Sequence, residues 1–186
     1  MSTKYKAGEP DGIYFVTLTV VGWIDVFTRI EQKVVLVESL KFCQKEKGLE
    51  TYSYCIMTNH LHMICKAMAE ITLPEIMRDF KKFTSKQIIK TIKQEPESRR
   101  EWMLKYFENA CDHLKRDQKY KVWQDGYHAE ILTSRKFLLQ KLNYIHHNPV
   151  RAGIVLNPED YLFSSARNYA GMDEDGELEV VLIDLF

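Results

Sequence analysis

The sequence is poor in cysteine. Its four cysteines are widely spaced and include no Cys-x-x-Cys pair, which excludes the commonest structural zinc motifs. Three of them fall in apolar or amphipathic segments, so we predict buried free thiols in a reducing cytoplasm. With 186 residues, 45% of them hydrophobic, the chain buries a sufficient core without disulfides or structural metals.

Long hydrophobic runs are also absent. No apolar stretch approaches the roughly 20 residues that a membrane helix needs, and the N-terminal residues are polar and charged rather than signal-like. Internal repeats, low-complexity linkers and a second domain are missing as well. We therefore predict a soluble cytoplasmic protein with no membrane partner. Residues 1–170 would form a single domain, and residues 171–186 would form an acidic C-terminal tail.

The net charge is zero, because 26 basic residues balance 26 acidic residues. A neutral chain by itself argues against a nucleic-acid partner. The distribution argues for one. Residues 159–186 contain eight acidic residues and one basic residue, whereas residues 81–151 contain sixteen basic and eight acidic residues. A basic middle interspersed with aromatic residues suits a phosphate backbone and unstacked bases. The competing interpretation is that these lysines only solvate helix faces.

The hydrophobic pattern predicts the order of elements. We expect strands at residues 13–21, 50–57, 61–67 and 127–132, and helices at residues 30–47, 73–93 and from 133 or 134 to 147. A charged helical insertion is expected at about 94–120. The order β-α-β-β-α-β followed by a helix predicts an α+β fold, a ferredoxin-like split βαβ arrangement with a central antiparallel sheet and a C-terminal helix. This fold hosts many functions and does not by itself argue for catalysis.

Two short passages contain the side chains of chemical interest. His60 and His62 flank one apolar residue, and in a strand they would project from the same face as half of a metal site. Tyr144 and Asn148 are four residues apart and would share one face of a helix. Each pattern alone has an ordinary explanation, namely hydrogen-bonded histidines, a tyrosine that buries its ring, and a helix that ends before Pro149.

Together these passages resemble a known family. His60-Leu61-His62 is similar to the histidine-hydrophobe-histidine motif of HUH single-strand endonucleases. Residues 143–155, NYIHHNPVRAGIV, resemble the tyrosine helix of single-tyrosine transposases, in particular the REP-associated tyrosine transposase-like branch. The resemblance runs from about residue 12 to residue 170, and further matches occur in the expected order at residues 14–18, 81–84, 123–127 and 161–166.

The resemblance implies a catalytic domain that nicks and rejoins single-stranded DNA through a 5′-phosphotyrosine intermediate. Tyr144 would be the nucleophile, and His60 and His62 would hold Mg²⁺ or Mn²⁺, although imidazoles also bind Zn²⁺ well. Asn148 is the expected third protein ligand, with His147 as a competing one.

The resemblance also implies the partners. The DNA is expected to carry a hairpin or a palindromic repeat, so the protein would associate with the nucleoid when bound. Some relatives exchange the tyrosine helix within a dimer and others act as monomers, so the resemblance allows a homodimer.

Six residues are predicted to contact DNA. Phosphate contacts are expected from four basic residues, Lys81, Lys82, Lys86 and Arg151. Trp123 and Tyr127 are expected to stack a base, and core packing is the competing interpretation for Trp123.

Three other functions are compatible with the sequence. One is a domesticated endonuclease that processes chromosomal palindromes without moving itself. Another is a non-catalytic hairpin-binding module on the same fold. The last is a metal hydrolase in which water attacks and Tyr144 only positions the substrate.

Overall fold

The computed structural model describes residues 7, 9, 11–68, 70–111, 118–172 and 178–184. Within these residues four strands form one sheet: β1 Tyr14–Thr19, β2 Leu49–Ile56, β3 His60–Ala67 and β4 His128–Ile131. The helices are α1 Ile30–Lys47, α2 Leu73–Gln94, α3 Arg100–Asn109, α4 Arg135–Arg151 and the short α5 Ala166–Tyr169. None of the described helices is long and apolar enough to cross a membrane.

The sheet has the strand order β2-β3-β1-β4, and every neighbouring pair is antiparallel. The two central strands are β1 and β3, and five consecutive residues of β3 are buried. This topology confirms the predicted ferredoxin-like arrangement. It also confirms that the strand with the two histidines lies at the centre of the sheet.

The two faces of the sheet are distinct. Thr17 lies opposite His62 and Thr19 lies opposite His60 in the β1–β3 register, so these side chains share one face with Phe15. Helix α4 packs against β2 and β3, and its Tyr144 ring lies on this face. The alternate residues, which include Val16, Leu18, Leu61 and Met63, point to the other side and are fully buried.

Two helix ends illustrate how local chemistry sets the boundaries. Helix α1 ends as predicted because Gly48 adopts the left-handed conformation, at φ 66°, which closes its last turn. Helix α4 was expected to end at His147, and this expectation was wrong. It continues to Arg151 with Pro149 in its last turn, where only one intrahelical N–H bond is lost.

The predicted insertion and acidic tail are described in part. Helix α3 lies within the insertion and buries Met103 and Phe107, while residues 112–117 lie outside the described residues. Residues 173–177 of the tail also lie outside them. Residues 178–184 pack onto the domain, because Leu178 is buried and the Val181 amide donates to the Thr51 carbonyl of β2. The division of the chain at residue 170 stays a prediction.

The free thiols agree with the prediction. Cys43, Cys55 and Cys65 are buried and unpaired, and Cys111 is half-buried. Burial raises the pKa of the Cys65 thiol to about 12, so this group is a core side chain rather than a nucleophile.

Candidate active site and nucleic-acid interface

The two histidines of β3 lie side by side beneath α4. Their ring centroids are 4.5 Å apart, and His62 is only 6% exposed while His60 is half-buried. Burial lowers the pKa of both imidazoles, and burial is the main reason that the pKa of His62 falls to about 3, with Lys141 as a nearby positive charge that lowers it further. Both rings are therefore neutral near pH 7, the form that binds metal ions.

A hydrogen-bond network selects the tautomer of His60. The Asn59 amide nitrogen donates to the Asp25 carboxylate at 2.9 Å and to the Trp23 carbonyl at 3.2 Å, so its amide oxygen faces His60. That oxygen lies 2.6 Å from His60 Nδ1 and can only accept, so Nδ1 carries the proton. The lone pair of His60 is consequently on Nε2, as an imidazole ligand of a metal ion requires.

His62 is held by β1. Its Nδ1 lies 2.8 Å from the Thr17 hydroxyl on the neighbouring strand, and its ring stacks on Phe15 at a centroid distance of 5.3 Å. Both contacts follow from the strand register, which places Phe15, Thr17 and His62 on one face. The Nε2 side of His62 is thereby directed away from these partners.

Tyr144 of α4 lies beside the two histidines. Ser134 caps this helix by accepting a hydrogen bond from the Phe137 amide. The Tyr144 ring lies 5.3 Å from the His62 ring and 6.1 Å from the Phe15 ring, and it is 37% exposed. Arg151 lies two turns further along α4, with its guanidinium carbon 5.4 Å from the Tyr144 ring centroid. An accessible phenol, a cation and two neutral imidazoles are thus adjacent.

The donor set fits a divalent metal ion with open coordination positions. The Asn148 amide nitrogen is buried without a hydrogen-bond partner among the described residues. An amide binds a metal ion through its oxygen rather than its nitrogen, so Asn148 stays a predicted ligand. His147, the competing ligand, directs Nδ1 to the Asn143 carbonyl at 3.0 Å. The described residues contain no cluster of three or more His, Cys, Asp or Glu side chains suited to a metal. Within the described part of the chain, the histidine pair therefore has no third His, Cys, Asp or Glu side chain beside it.

A basic groove lies between α2 and residues 118–127. Seven basic and two acidic residues line it, and Lys82 and Lys86 are exposed to solvent there. Tyr127 also lines the groove and is half-buried near Tyr14 and Cys65, on the face of the sheet opposite to His62. The groove and the histidine–tyrosine cluster therefore occupy different sides of the sheet.

Two of the residues predicted to contact DNA make contacts within the fold. Trp123 is 3% exposed, packs on Phe27 and Phe80, and donates its indole N–H to the Thr84 hydroxyl at 2.9 Å, so base stacking was the wrong interpretation. The Lys81 ammonium donates to the carbonyls of Gln124, at 2.7 Å, and Gly126. Burial lowers the pKa of Lys81 to about 8. Its two hydrogen bonds attach α2 to the rim of the groove, and phosphate binding by Lys81 stays a prediction.

Sequence reasoning missed three residues around the cluster. Asn59 precedes the first histidine and orients it, and Phe15 lies beneath both His62 and Tyr144. Lys141 lies one turn before Tyr144, 4.4 Å from the Phe15 ring centroid, and pairs with Glu130 at 2.8 Å. Its position on the tyrosine face of the helix was the only available signal.

Comparison with known proteins agrees with this geometry. The model of the family described as "Transposase IS200 like" matches residues 24–118, just over half of the chain. The chain belongs to the IS200-like transposase family. The recognition from the two motifs is thereby confirmed, and the chain is a transposase-type enzyme that processes DNA. The matched segment contains the histidine pair, while the tyrosine helix α4 lies beyond it.

Two solved structures were compared with this family member. One is a REP-associated tyrosine transposase bound to a REP hairpin, with a TM-score of 0.65 and 18% identity, covering 97% of this chain and 94% of that protein. The two proteins share their fold. The other, a protein from Deinococcus radiodurans assigned as a transposase, has a TM-score of 0.45 and 15% identity over 78% of this chain and 97% of that one, too low for any argument. No curated protein is significantly similar in sequence.

Proposed function

We propose that this IS200-like transposase cuts and rejoins single-stranded DNA with Tyr144 as the nucleophile. The observation that carries the proposal is the proximity of the Tyr144 ring to the neutral imidazole of His62 within one chain, with their centroids 5.3 Å apart. An exposed phenol at this position has access to a phosphate held by the histidine side.

The proposed metal site consists of His60 and His62, with Asn148 as the third protein ligand. Mg²⁺ or Mn²⁺ bound there would withdraw charge from a non-bridging phosphate oxygen and orient the phosphorus for in-line attack. Asn59 and Thr17 form hydrogen bonds with Nδ1 of His60 and of His62, respectively, so that each Nε2 is positioned before any ion binds.

The chemical step transfers a phosphoryl group between oxygens. The Tyr144 oxygen attacks phosphorus, the bond from phosphorus to the 3′ oxygen breaks, and the phenolic proton is ultimately balanced by protonation of that leaving oxygen. The products are a 5′-phosphotyrosine and a free 3′-hydroxyl. Arg151 is close enough to the Tyr144 ring to stabilise developing negative charge. Because the ester energy is kept in the covalent link, another 3′-hydroxyl reverses the step and joins strands.

The proposed substrate combines a single strand with a hairpin. The REP-associated tyrosine transposase of similar fold binds a REP hairpin, and the basic groove of this chain offers the exposed ammonium groups of Lys82 and Lys86 to a phosphate backbone. We assign hairpin binding to this groove and strand cleavage to the opposite face. The strand leaving the hairpin would then pass around the sheet to Tyr144.

A denaturing gel tests the proposal. A labelled single strand that carries a hairpin from the flanks of the gene is incubated with protein and Mg²⁺ or Mn²⁺. We expect a covalent protein–DNA band that is lost in Tyr144→Phe and in His60→Ala/His62→Ala. The matched control is Tyr52→Phe, which removes a tyrosine hydroxyl from β2, far from Tyr144 in the sequence, and should keep the band.

The other outcomes discriminate between the rival functions. Cleavage that persists in Tyr144→Phe without an adduct would indicate attack by water and contradict the proposal. Tight binding with neither cleavage nor adduct, for flanks from both sides of the gene, would indicate a binding module. A REP-type hairpin from an unrelated sequence serves as the specificity control.

A further inference from the structure

We propose that Trp23 is a stacking platform for an unpaired nucleobase next to the cleaved phosphate, a role that rests on the proposed function. Trp23 has a positive φ of 56°, which no other non-glycine residue shows in the described part of the chain. A bulky side chain in this region is strained, and such strain persists where the surroundings impose it and function uses it. The Trp23 side chain is also 60% exposed.

The position of Trp23 is tied to the metal-binding histidine. Its ring centroid lies 6.0 Å from that of His60, and its carbonyl accepts a hydrogen bond from the Asn59 amide, whose oxygen contacts His60 Nδ1. The backbone of Trp23 and the imidazole of His60 are therefore held by the same network. A phosphate bound at His60 would place the base of an adjoining nucleotide within reach of the indole face.

The insertion helix α3 packs against the turn that carries Trp23. Gly22 also has a positive φ, 62°, and Tyr106 of α3 packs so closely on it that an added Cβ would overlap the phenol ring. Only glycine fits at this point. The strained turn is consequently locked from one side by α3 and from the other by Asn59.

An aromatic surface continues from this turn. Tyr106 is 40% exposed and Trp102, one helical turn earlier, is 56% exposed, with their ring centroids 6.1 Å apart. Consecutive exposed aromatic rings are the usual way in which proteins bind single strands without reading every base. The continuity of this surface with the histidine pair favours a single strand of DNA as its occupant rather than a second protein.

Packing does not account for Trp23. An indole that is mostly in solvent contributes little to the core, and a residue selected for stability at positive φ would be glycine or asparagine. Trp23→Asn therefore removes the ring while relieving the backbone, and Trp23→Phe keeps a flat ring. This pair separates loss of stacking from loss of folding.

The experiment uses 2-aminopurine fluorescence and binding affinity. A hairpin with a short single-stranded extension carries 2-aminopurine at successive positions of the extension, and a bare hairpin serves as reference. We expect quenching at one or two adjacent positions with the unaltered protein and with Trp23→Phe, and no quenching with Trp23→Asn. Trp23→Asn should bind the extended strand roughly 5- to 150-fold more weakly, the equivalent of about 1–3 kcal/mol per stacked base, and bind the bare hairpin unchanged.

Phe42→Asn is the matched control, because Phe42 is an equally exposed aromatic residue, 56% exposed, on α1. We expect it to bind both oligonucleotides as the unaltered protein does. The melting temperature and the Mn²⁺ affinity of Trp23→Asn should equal or exceed the unaltered values. Unchanged binding of the extended strand by Trp23→Asn, or a change in its oligomeric state in place of its DNA affinity, would overturn the inference.

The inference and the proposed function fail separately. An adduct on Tyr144 together with undiminished quenching in Trp23→Asn removes the stacking role alone. Quenching that depends on Trp23 in a protein that forms no adduct removes the nucleophile and leaves the stacking role in place.

Discussion

The amide of Asn59 decides which ring nitrogen of His60 faces outward. Its nitrogen is committed to the Asp25 carboxylate and the Trp23 carbonyl, so only its oxygen is left for the imidazole. Residues that hydrogen-bond to a metal ligand without contacting the ion typically contribute 10- to 100-fold to metal affinity in proteins. A single neutral side chain thus sets the tautomer of a histidine at the proposed metal site.

We predict that Asn59→Ala lowers the affinity for Mn²⁺ by roughly 10- to 100-fold. The His60 ring loses the acceptor that fixes its tautomer, so part of the population presents a protonated Nε2. Isothermal titration with Mn²⁺ measures the change. Thr58→Val, which removes a different hydrogen bond to the same Asp25 carboxylate, is the control and should bind nearly normally. Equal affinities for the unaltered protein and Asn59→Ala would contradict the assignment.

Two of the three tryptophans show how much a sequence reveals about the exposure of single residues. Trp123 was the expected stacking residue and is a core side chain, whereas the exposed Trp23 attracted no attention. Trp123 is buried by partners far along the chain, Phe27 and Phe80, which its flanking sequence does not reveal. His60, His62 and Tyr144 were identified because their spacing and resemblance are local. Exposure is not a local property.

At the level of elements, helix boundaries were predictable where a single residue sets them. Gly48 ends α1 through its own backbone conformation, so the sequence was sufficient. Pro149 was read as a stop, yet α4 continues because a proline in the last turn costs only one hydrogen bond and Pro149 is itself buried. Tertiary packing overrides local preference at such a position.

Two neighbouring lysines of α2 are predicted to have different roles, Lys81 in stability and Lys82 in DNA binding. We predict that Lys81→Met lowers the free energy of unfolding by about 1–3 kcal/mol, because the carbonyls of Gln124 and Gly126 lose their donor. Lys82→Met should change stability by less than about 0.5 kcal/mol and should weaken hairpin binding, with a salt dependence shallower by about one unit. Urea denaturation and binding at several salt concentrations measure both. The reverse pattern would show that Lys81 is the phosphate contact.

A buried carboxylate joins the α2–α3 connection to the loop before α1. The Glu97 side chain is 1% exposed and accepts hydrogen bonds from Arg99 at 3.0 Å and Arg29 at 3.3 Å, which lower its pKa to about 2. Arg99 in turn donates to the Asp25 carbonyl and the Thr28 hydroxyl. The insertion therefore supports the loop that carries Asp25, and through it Asn59.

We predict that Glu97→Gln lowers the free energy of unfolding by about 1–3 kcal/mol at pH 7. Because the folded protein holds this carboxyl below its ordinary pKa of 4.5, acid favours the unfolded chain. The stability difference between the two proteins should be complete above pH 4.5 and should shrink as the pH falls toward 2. Urea denaturation across this range measures it, with the exposed Glu101→Gln as control. A difference independent of pH would exclude the charged pair as its source.

At the scale of the whole molecule, the sheet separates two surfaces. The basic groove lies on the side of α2, and the histidine–tyrosine cluster lies beneath α4 on the other side. In the proposed function, this division would let one part of a DNA molecule be held by its shape and phosphates while another part reacts. Charge counting over residues 81–151 anticipated the basic surface, but only the folded chain shows that it is remote from Tyr144.

The chain also brings its own tyrosine to its own histidines. Only residues 132–134 connect β4 to α4, and the Tyr144 ring already contacts the His62 ring of the same chain. We therefore predict that catalysis occurs in cis. Mixing Tyr144→Phe with His60→Ala/His62→Ala should give no covalent band, because neither chain contains a complete site. Light scattering on the same samples reports whether the chains associate. An adduct restored by mixing would show instead that α4 is exchanged between two chains and that each site is shared.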